Sequence, residues 1–509
     1  MKKYKIFLPL IISSLLASCA GSNPFGNDVM FFSSKSHLIS NDFDGLGVEW
    51  GAYEDTNKLQ PNAKERIYKY AERLDGMALV RCMISYDWIC ENFDDHGETD
   101  KTKHTWSYNF TNKWMKSCEE ILSYCQTHGI DVAFGAWNVI GNFQNDVWGM
   151  MEEVTSDIRW AKITADVLDY LVHQKGFTCI KYFVNSNEPN YSGEKGSSKN
   201  YNNTFEVWKQ GVLNVRKALD SNDLKSIKIV GGDATGESGI QEYLTKISKD
   251  AELKNAVGDY GFHMYSPSLY IYQGTLMDKY NEHFDEIQKY DSGIGKDRKI
   301  HIWECGLLDG KDSTYDCQKL ITEFSYAQYM ADFTIESLAS GINGIAYWDF
   351  DDAMHFMYNA DGTVTPKEWG MFSTLNSAAS EMQSLRPWYH SSTLLINLFR
   401  KHNIIFDCGM NDTNKEKLFR SLATVSADNK NAGVIFCNED TSEKSVKFVL
   451  DTEYSNNEKM FVYVFNSLYA KLGEDGFITP NYELEGSLNN VTEINVPSKS
   501  FVVISSQKL

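Results

Sequence analysis

Two carboxylates, each closing an apolar run, are the side chains of this sequence best placed to do chemistry. Residues 180–190 read IKYFVNSNEPN, a strand-like run that stops at a polar cluster. Pro189 forbids its extension as an interior strand. Alternation cannot send both Asn187 and Glu188 to one face, so this segment is expected to end in a bulge or turn. Residues 299–307 read KIHIWECGL, with Ile300, Ile302 and Glu304 on one face of a strand and His301 and Trp303 on the other. If the isoleucines fill the inside of a barrel, Glu304 surfaces at its top. Two carboxyl groups about 5–5.5 Å apart, one an acid and then a base, the other a nucleophile, cleave a glycosidic bond by double displacement. A single Glu would be read as an exposed loop acid, common in a chain with 69 acidic residues. Asn-Glu-Pro after one strand and a second Glu ending another read as a site.

The elements that must hold the pair follow from the rhythm of the chain. Apolar runs recur at 43–49, 77–83, 131–137, 181–186, 227–232, 260–264, 299–304 and 344–349. Amphipathic, helix-period segments such as 113–127, 158–174 and 327–340 separate them. Eight β runs alternating with helices predict an α/β fold of the (β/α)8, or TIM, barrel type; an open doubly wound sheet is the rival. No GxGxxG follows a strand, which counts against a dinucleotide fold. In a barrel, the fourth and seventh strands face each other across the mouth, so Glu188 and Glu304 would meet there. After residue 395 the helical period is lost. Strand-like runs at 403–406, 418–425, 432–438, 446–450, 460–466, 493–496 and 501–505 predict a C-terminal β-sandwich, to which the segment before the first barrel strand is a candidate addition. The expected division is 1–18 leader, 19–33 tether, 34–395 barrel and 396–509 sandwich.

The segment NSNEPN at 185–190 resembles the Asn-Glu-Pro signature of clan A glycoside hydrolases, retaining enzymes built on this barrel. VGGDATG at 230–236 and GFHMYSP at 261–267 are similar to segments of glycoside hydrolase family 39 and its relatives, and RPWYHSSTLL at 386–395, leading into the β region, resembles several families of the clan. The resemblance implies that Glu188 is the acid/base and Glu304 the nucleophile. It implies that Asn187 bonds the sugar 2-hydroxyl, that Arg81 keeps the nucleophile ionised, and that Trp348 is a sugar platform. His263 and Tyr265 end the sixth strand, where Tyr265 can hydrogen-bond Glu304. Trp137 and Asn138 end the third strand and Glu49 and Trp50 the first, so all four are expected to line the cleft. Trp369 and Trp388 are expected to be packing residues, and Cys305 a small buried one.

Composition narrows the partners. The net charge is -20 at pH 7, a surface that repels phosphate, so nucleic acid is not an expected partner and anionic lipid a poor one. Aromatic residues are 13% of the chain, enough to stack on sugar rings, so a carbohydrate is the expected partner. Lys2, Lys3 and Lys5 precede an apolar run at 6–16, too short at about 1.5 Å per residue to cross a roughly 30 Å hydrocarbon layer. Leu16-Ala17-Ser18-Cys19 follows and resembles a bacterial lipobox. It implies lipidation at Cys19 and export as an anchored lipoprotein, and Ala20 favours the outer membrane. The other nine cysteines are an odd number. Cys118 and Cys125 are too far apart on a helix to bridge, and Cys82 with Cys90 is the one candidate pair. No CxxC, HExxH or His cluster is present, so neither a metal nor another cofactor is expected. The rival readings are a non-catalytic sugar-binding lipoprotein on a glycosidase-like barrel and a metal-dependent hydrolase on the same fold.

Overall fold

In the computed structural model, residues 29–94, 96–136, 154–190, 205–377, 385–408 and 418–509 are described. Eight parallel strands close a barrel in sequential order: β1 Gly45–Glu49, β2 Leu79–Ile84, β3 Asp131–Ala136, β4 Ile180–Val184, β5 Lys228–Thr235, β6 Asp259–Ser266, β7 Ile300–Leu307 and β8 Gly344–Tyr347. Each is followed by a helix: α1 Ala63–Arg73, α2 Lys113–His128, α3 Ile158–Asp169, α4 Phe205–Ser221, α5 Glu237–Lys249, α6 Leu276–Gln288, α7 Phe324–Ala339 and α8 Pro387–Leu398. The helices form where the chain repeats apolar residues every three or four positions, as Met115, Cys118, Ile121, Leu122 and Cys125 do on the inner side of α2. Side chains cap them: Asn112 Oδ1 accepts from the Met115 N–H at 2.8 Å, and Asp157 Oδ1 from the Arg159 N–H at 2.9 Å. None of the described helices is long and apolar enough to cross a membrane.

The barrel is filled by residues alternating along its strands. Leu79, Met83, Ala133, Tyr182, Val184, Val230, Trp303 and Ala346 form one buried cluster. Their outward neighbours, among them Val80, Cys82, Val132, Phe134, Phe183, Ile302 and Ile345, belong to the larger core shared with the helices. This corrects the expectation for β7: Ile300 and Ile302 face the helices, whereas Trp303 fills the barrel and His301 stacks on it at 5.0 Å between ring centres. Glycines make the room. A Cβ on Gly261 would stand 2.5 Å from Val230 Cγ1 and 2.6 Å from Trp303 Cδ1.

The C-terminal region is two packed sheets. One has seven strands, in the order Leu38–Ser40, Ile404–Phe406, Phe419–Val425, Ala432–Asn438, Ser500–Ser505, Lys459–Phe465 and Tyr482–Glu485. The other joins Val29–Ser33, Lys444–Asp451 and Thr492–Val496. Phe32, Phe406, Val434, Phe436, Phe448 and Ile504 pack between them. Two strands thus come from ahead of the barrel. Val29–Ser33 pairs in parallel with residues 447–451, so residues 29–33 are sheet rather than tether. The other face of the large sheet joins the barrel's core through Leu422, Ile435, Cys437, Phe501 and Val503. Arg420 reaches from it to hydrogen-bond Asp332 of α7. All nine described cysteines are free thiols, including Cys82 and Cys90.

Candidate active site

The C-terminal ends of the strands bring seven of the expected residues together. Arg81 of β2 lies at the centre, fully buried, with Nη1 2.7 Å from Glu49 Oε2 and 3.3 Å from Glu304 Oε2. Its Nη2 donates to Asn187 Oδ1 at 2.6 Å and to Asp233 Oδ2 at 3.1 Å. Tyr265 Oη donates to Glu304 Oε1. His263 Nδ1 stands 3.0 Å from Glu188 Oε1 and 3.4 Å from Glu304 Oε2. Facing oxygens of Glu188 and Glu304 and the His263 nitrogen lie within 4.8 Å of one another.

Local backbone explains how neighbours in sequence reach the same space. β4 stops at Val184, and Glu188 has φ +44, so the polar cluster is a turn that brings Asn187 and Glu188 both to the mouth. On β7 the pairing to β6 slips by one residue: Phe262 faces Ile302 and His263 faces Glu304, leaving Trp303 as an extra residue. That bulge lets Trp303 and Glu304 both point inward, which strict alternation forbids. Alternation does hold on β1, where Glu49 points in and Trp50 out. The Trp50 ring packs against Tyr68, Tyr124 and Phe350 within the helix layer, so it does not line the cleft. Trp348 follows β8 and is nearly buried, edge-on to His355 at 5.1 Å. Trp369 stands edge-on to Tyr265 at 5.7 Å, and Trp388 packs on Tyr326 and Tyr347. Trp137, Asn138 and Cys19 lie outside the described residues.

One residue of the cluster was not singled out by the sequence reading. Asp233 sits in the VGGDATG segment of β5, 2% exposed, with φ +56. Gly232 pairs with Gly261 and Ala234 with Phe262, so Asp233 is the extra residue of a second bulge. The signal for it in the sequence is an acid behind two glycines at a barrel strand's C-terminal end. His263, at the end of the sixth strand, is fully buried and faces three carboxylates.

The electrostatics follow from burial and from two cations among four acids. Burial pushes the Glu49 carboxyl up to about 7, against the pull of Arg81. Burial also raises Glu304, the nearby Glu188 adding to it, more than His263, Arg81 and Tyr265 lower it. Glu188 feels the same burial, but its shorter contact with His263 more than offsets this and holds it below the usual range. Protons at so close a pair belong to both members. The Glu188–His263–Glu304 spacing would also suit a metal cage, as would that of Asp332, Cys437 and Glu439. Arg81 stands against the first group and Arg420 against the second, each occupying carboxylate oxygens and repelling a cation.

No protein-family model matches the chain, and no curated protein matches it by sequence. Solved structures do match. A GH30 endoxylanase from Clostridium papyrosolvens C71 superimposes with a TM-score of 0.58 at 14% identity, over 93% of this chain and 98% of that one. A glucosidase from Croceicoccus marinus gives 0.60 at 13% identity, over 94% and 98%. An α-L-arabinofuranosidase from Thermotoga maritima gives 0.57 at 13%, over 94% and 99%. The likeness is one of fold. It extends over nearly the full length of each chain, so barrel and β-sheet region are matched together.

Proposed function

We propose that the protein is a clan A retaining glycoside hydrolase acting on β-linked bonds of a poly- or oligosaccharide. The observation that carries the reading is the Glu188–Glu304 pair, oxygens within 4.8 Å, at the C-terminal mouth of a closed barrel. That is the short separation of double displacement and leaves no room for a water between Glu304 and the sugar. Glu304, held by Arg81 and Tyr265, attacks the anomeric carbon; Glu188 protonates the leaving oxygen and then deprotonates the incoming water. The field of His263 draws negative charge to Glu188. Positive charge developing at the anomeric carbon favours an ionised Glu304 and moves the proton to Glu188, where the first step needs it. Asn187, tied to Arg81, meets the sugar beside the cleaved bond in this reading, with Trp348 as its platform. Kinship with family 39 is part of the proposal and rests on the segments that contain Asp233, His263 and Tyr265. The chemistry uses no cofactor. The leader places the enzyme in the outer membrane through a lipid on Cys19.

The test is a screen of the purified protein on mixed plant, fungal and bacterial polysaccharides and on aryl β-glycosides, with Glu304→Ala as control. Proton NMR of the first product should show the β-anomer, and the control should be silent. Sugar binding without turnover by the parent protein would instead make it a non-catalytic binder, and loss of turnover on chelation would point to a metal hydrolase.

A further inference from the structure

Asp233 touches no open surface, yet the chain makes an unusual effort to bring it in. Its backbone is left-handed, a conformation that L side chains seldom adopt, and the preceding Gly232 has φ +120. The bulge they form turns a carboxylate under the site, with Oδ2 3.1 Å from Arg81 Nη2 and Oδ1 3.1 Å from His263 Nε2. The second contact is an ion pair without a straight hydrogen bond. His263 is enclosed on every side. Glu188 comes from the turn after β4, Asp233 from β5 and Glu304 from β7; Tyr265 shares its own strand. Arg81 and, behind it, Glu49 complete the charged surroundings.

We propose that Asp233 is a positioning residue that holds the His263 imidazole in its protonated form between Glu188 and Glu304. A neutral imidazole carries one N–H. With carboxylates at both ring nitrogens, the neutral form would set a bare nitrogen lone pair against an oxygen at one of them. The imidazolium donates its Nδ1–H to Glu188 and sets its positive charge against Asp233 at Nε2. Burial pulls the ring's pKa down, but Asp233 first and Glu304 next push it up, to about 10. The Nδ1–H then fixes Glu188 through Oε1 and leaves Oε2 to carry the proton toward the leaving group. The fixed positive charge also strengthens Glu188 as an acid. This consequence for the reaction rests on the glycosidase reading; the protonation state of His263 does not.

Two readouts separate those claims. In the full chain labelled with 15N-histidine, with His263→Gln used to assign the signal, His263 should give imidazolium nitrogen shifts at pH 8. In Asp233→Asn it should titrate at least two pH units lower and be neutral at pH 8. A neutral His263 in the parent protein at pH 8 overturns the proposal, and so does an imidazolium that persists in Asp233→Asn. The parent spectrum alone decides the first point should the variant not fold. On a cleaved aryl glycoside, the basic limb of kcat/KM should move up by about one pH unit in Asp233→Asn, as Glu188 becomes a weaker acid. Asp233→Glu should restore part of the shift. A lower rate with an unmoved limb would mean Asp233 only packs. If no glycoside is cleaved at all, the functional reading fails while the NMR result still stands.

Discussion

Glu49 offers a stability prediction whose size follows from the structure. It is 1% exposed, it pairs with Arg81 at 2.7 Å, and burial lifts its carboxyl from 4.5 to about 7. The gap corresponds to about 3 kcal/mol, since each pH unit is worth about 1.4 kcal/mol. The folded pKa is the higher one, so between the two values the folded protein holds a proton that the unfolded chain has lost. Stability from this group is therefore complete below pH 4.5 and is lost as pH rises through about 7. Glu49→Gln is nearly isosteric and cannot ionise. Urea unfolding of both proteins at pH 4.5 and pH 8 isolates the contribution, because the other titrating groups are common to both and largely cancel. The parent should lose about 3 kcal/mol more than the variant across that interval. Equal losses, within about 0.5 kcal/mol, would mean that Arg81 fully compensates burial and that Glu49 ionises like a surface acid.

Three further outcomes are expected. Gly261→Ala forces a methyl against Val230 and Trp303 and should cost about 1–3 kcal/mol in thermal or urea unfolding; a neutral effect would contradict the packing of the Trp303 bulge. Arg420→Met strands the buried Asp332 and Glu336 at the barrel–sandwich contact and should cost about 3–5 kcal/mol at pH 7. Burial raises both acids, so they protonate readily and the cost should shrink by pH 4; a cost that does not shrink refutes this account of the contact. Cys19→Ser should release the exported protein from the membrane and remove the lipid mass; an unchanged mature mass and membrane fraction would exclude the anchor.

The eight barrel strands were legible because each is an apolar run whose neighbours have a clear helical period. The centres of 131–137 and 344–349, for example, are β3 and β8. What periodicity could not supply was the bulges. KIHIWECGL read with strict alternation puts Ile302 and Glu304 on one face, whereas the extra residue at Trp303 reverses the inward side in mid-strand. The same device hid Asp233, since Gly-Gly-Asp has the look of a turn. Arg81 and Glu49 sit on unbroken alternation, and their inward direction could be read directly. Trp50 could have been excluded by the same rule, being next to Glu49. The strands Val29–Ser33 and Leu38–Ser40 are short and their partners lie hundreds of residues away, so the segment ahead of the barrel could be read as a candidate addition to the sandwich but not assigned its pairing.

The division of labour between Glu188 and Glu304 is tested most directly by azide rescue of Glu188→Ala on an aryl β-glycoside with a good leaving group. Such a group needs little protonation, so Glu304 should still form the glycosyl-enzyme, which then waits for a base that is missing. Azide needs no base and should restore turnover, giving a β-glycosyl azide. Glu304→Ala should remain inactive on the same substrate with or without azide. An α-glycosyl azide from Glu188→Ala, or full activity in Glu304→Ala, would contradict the assignment.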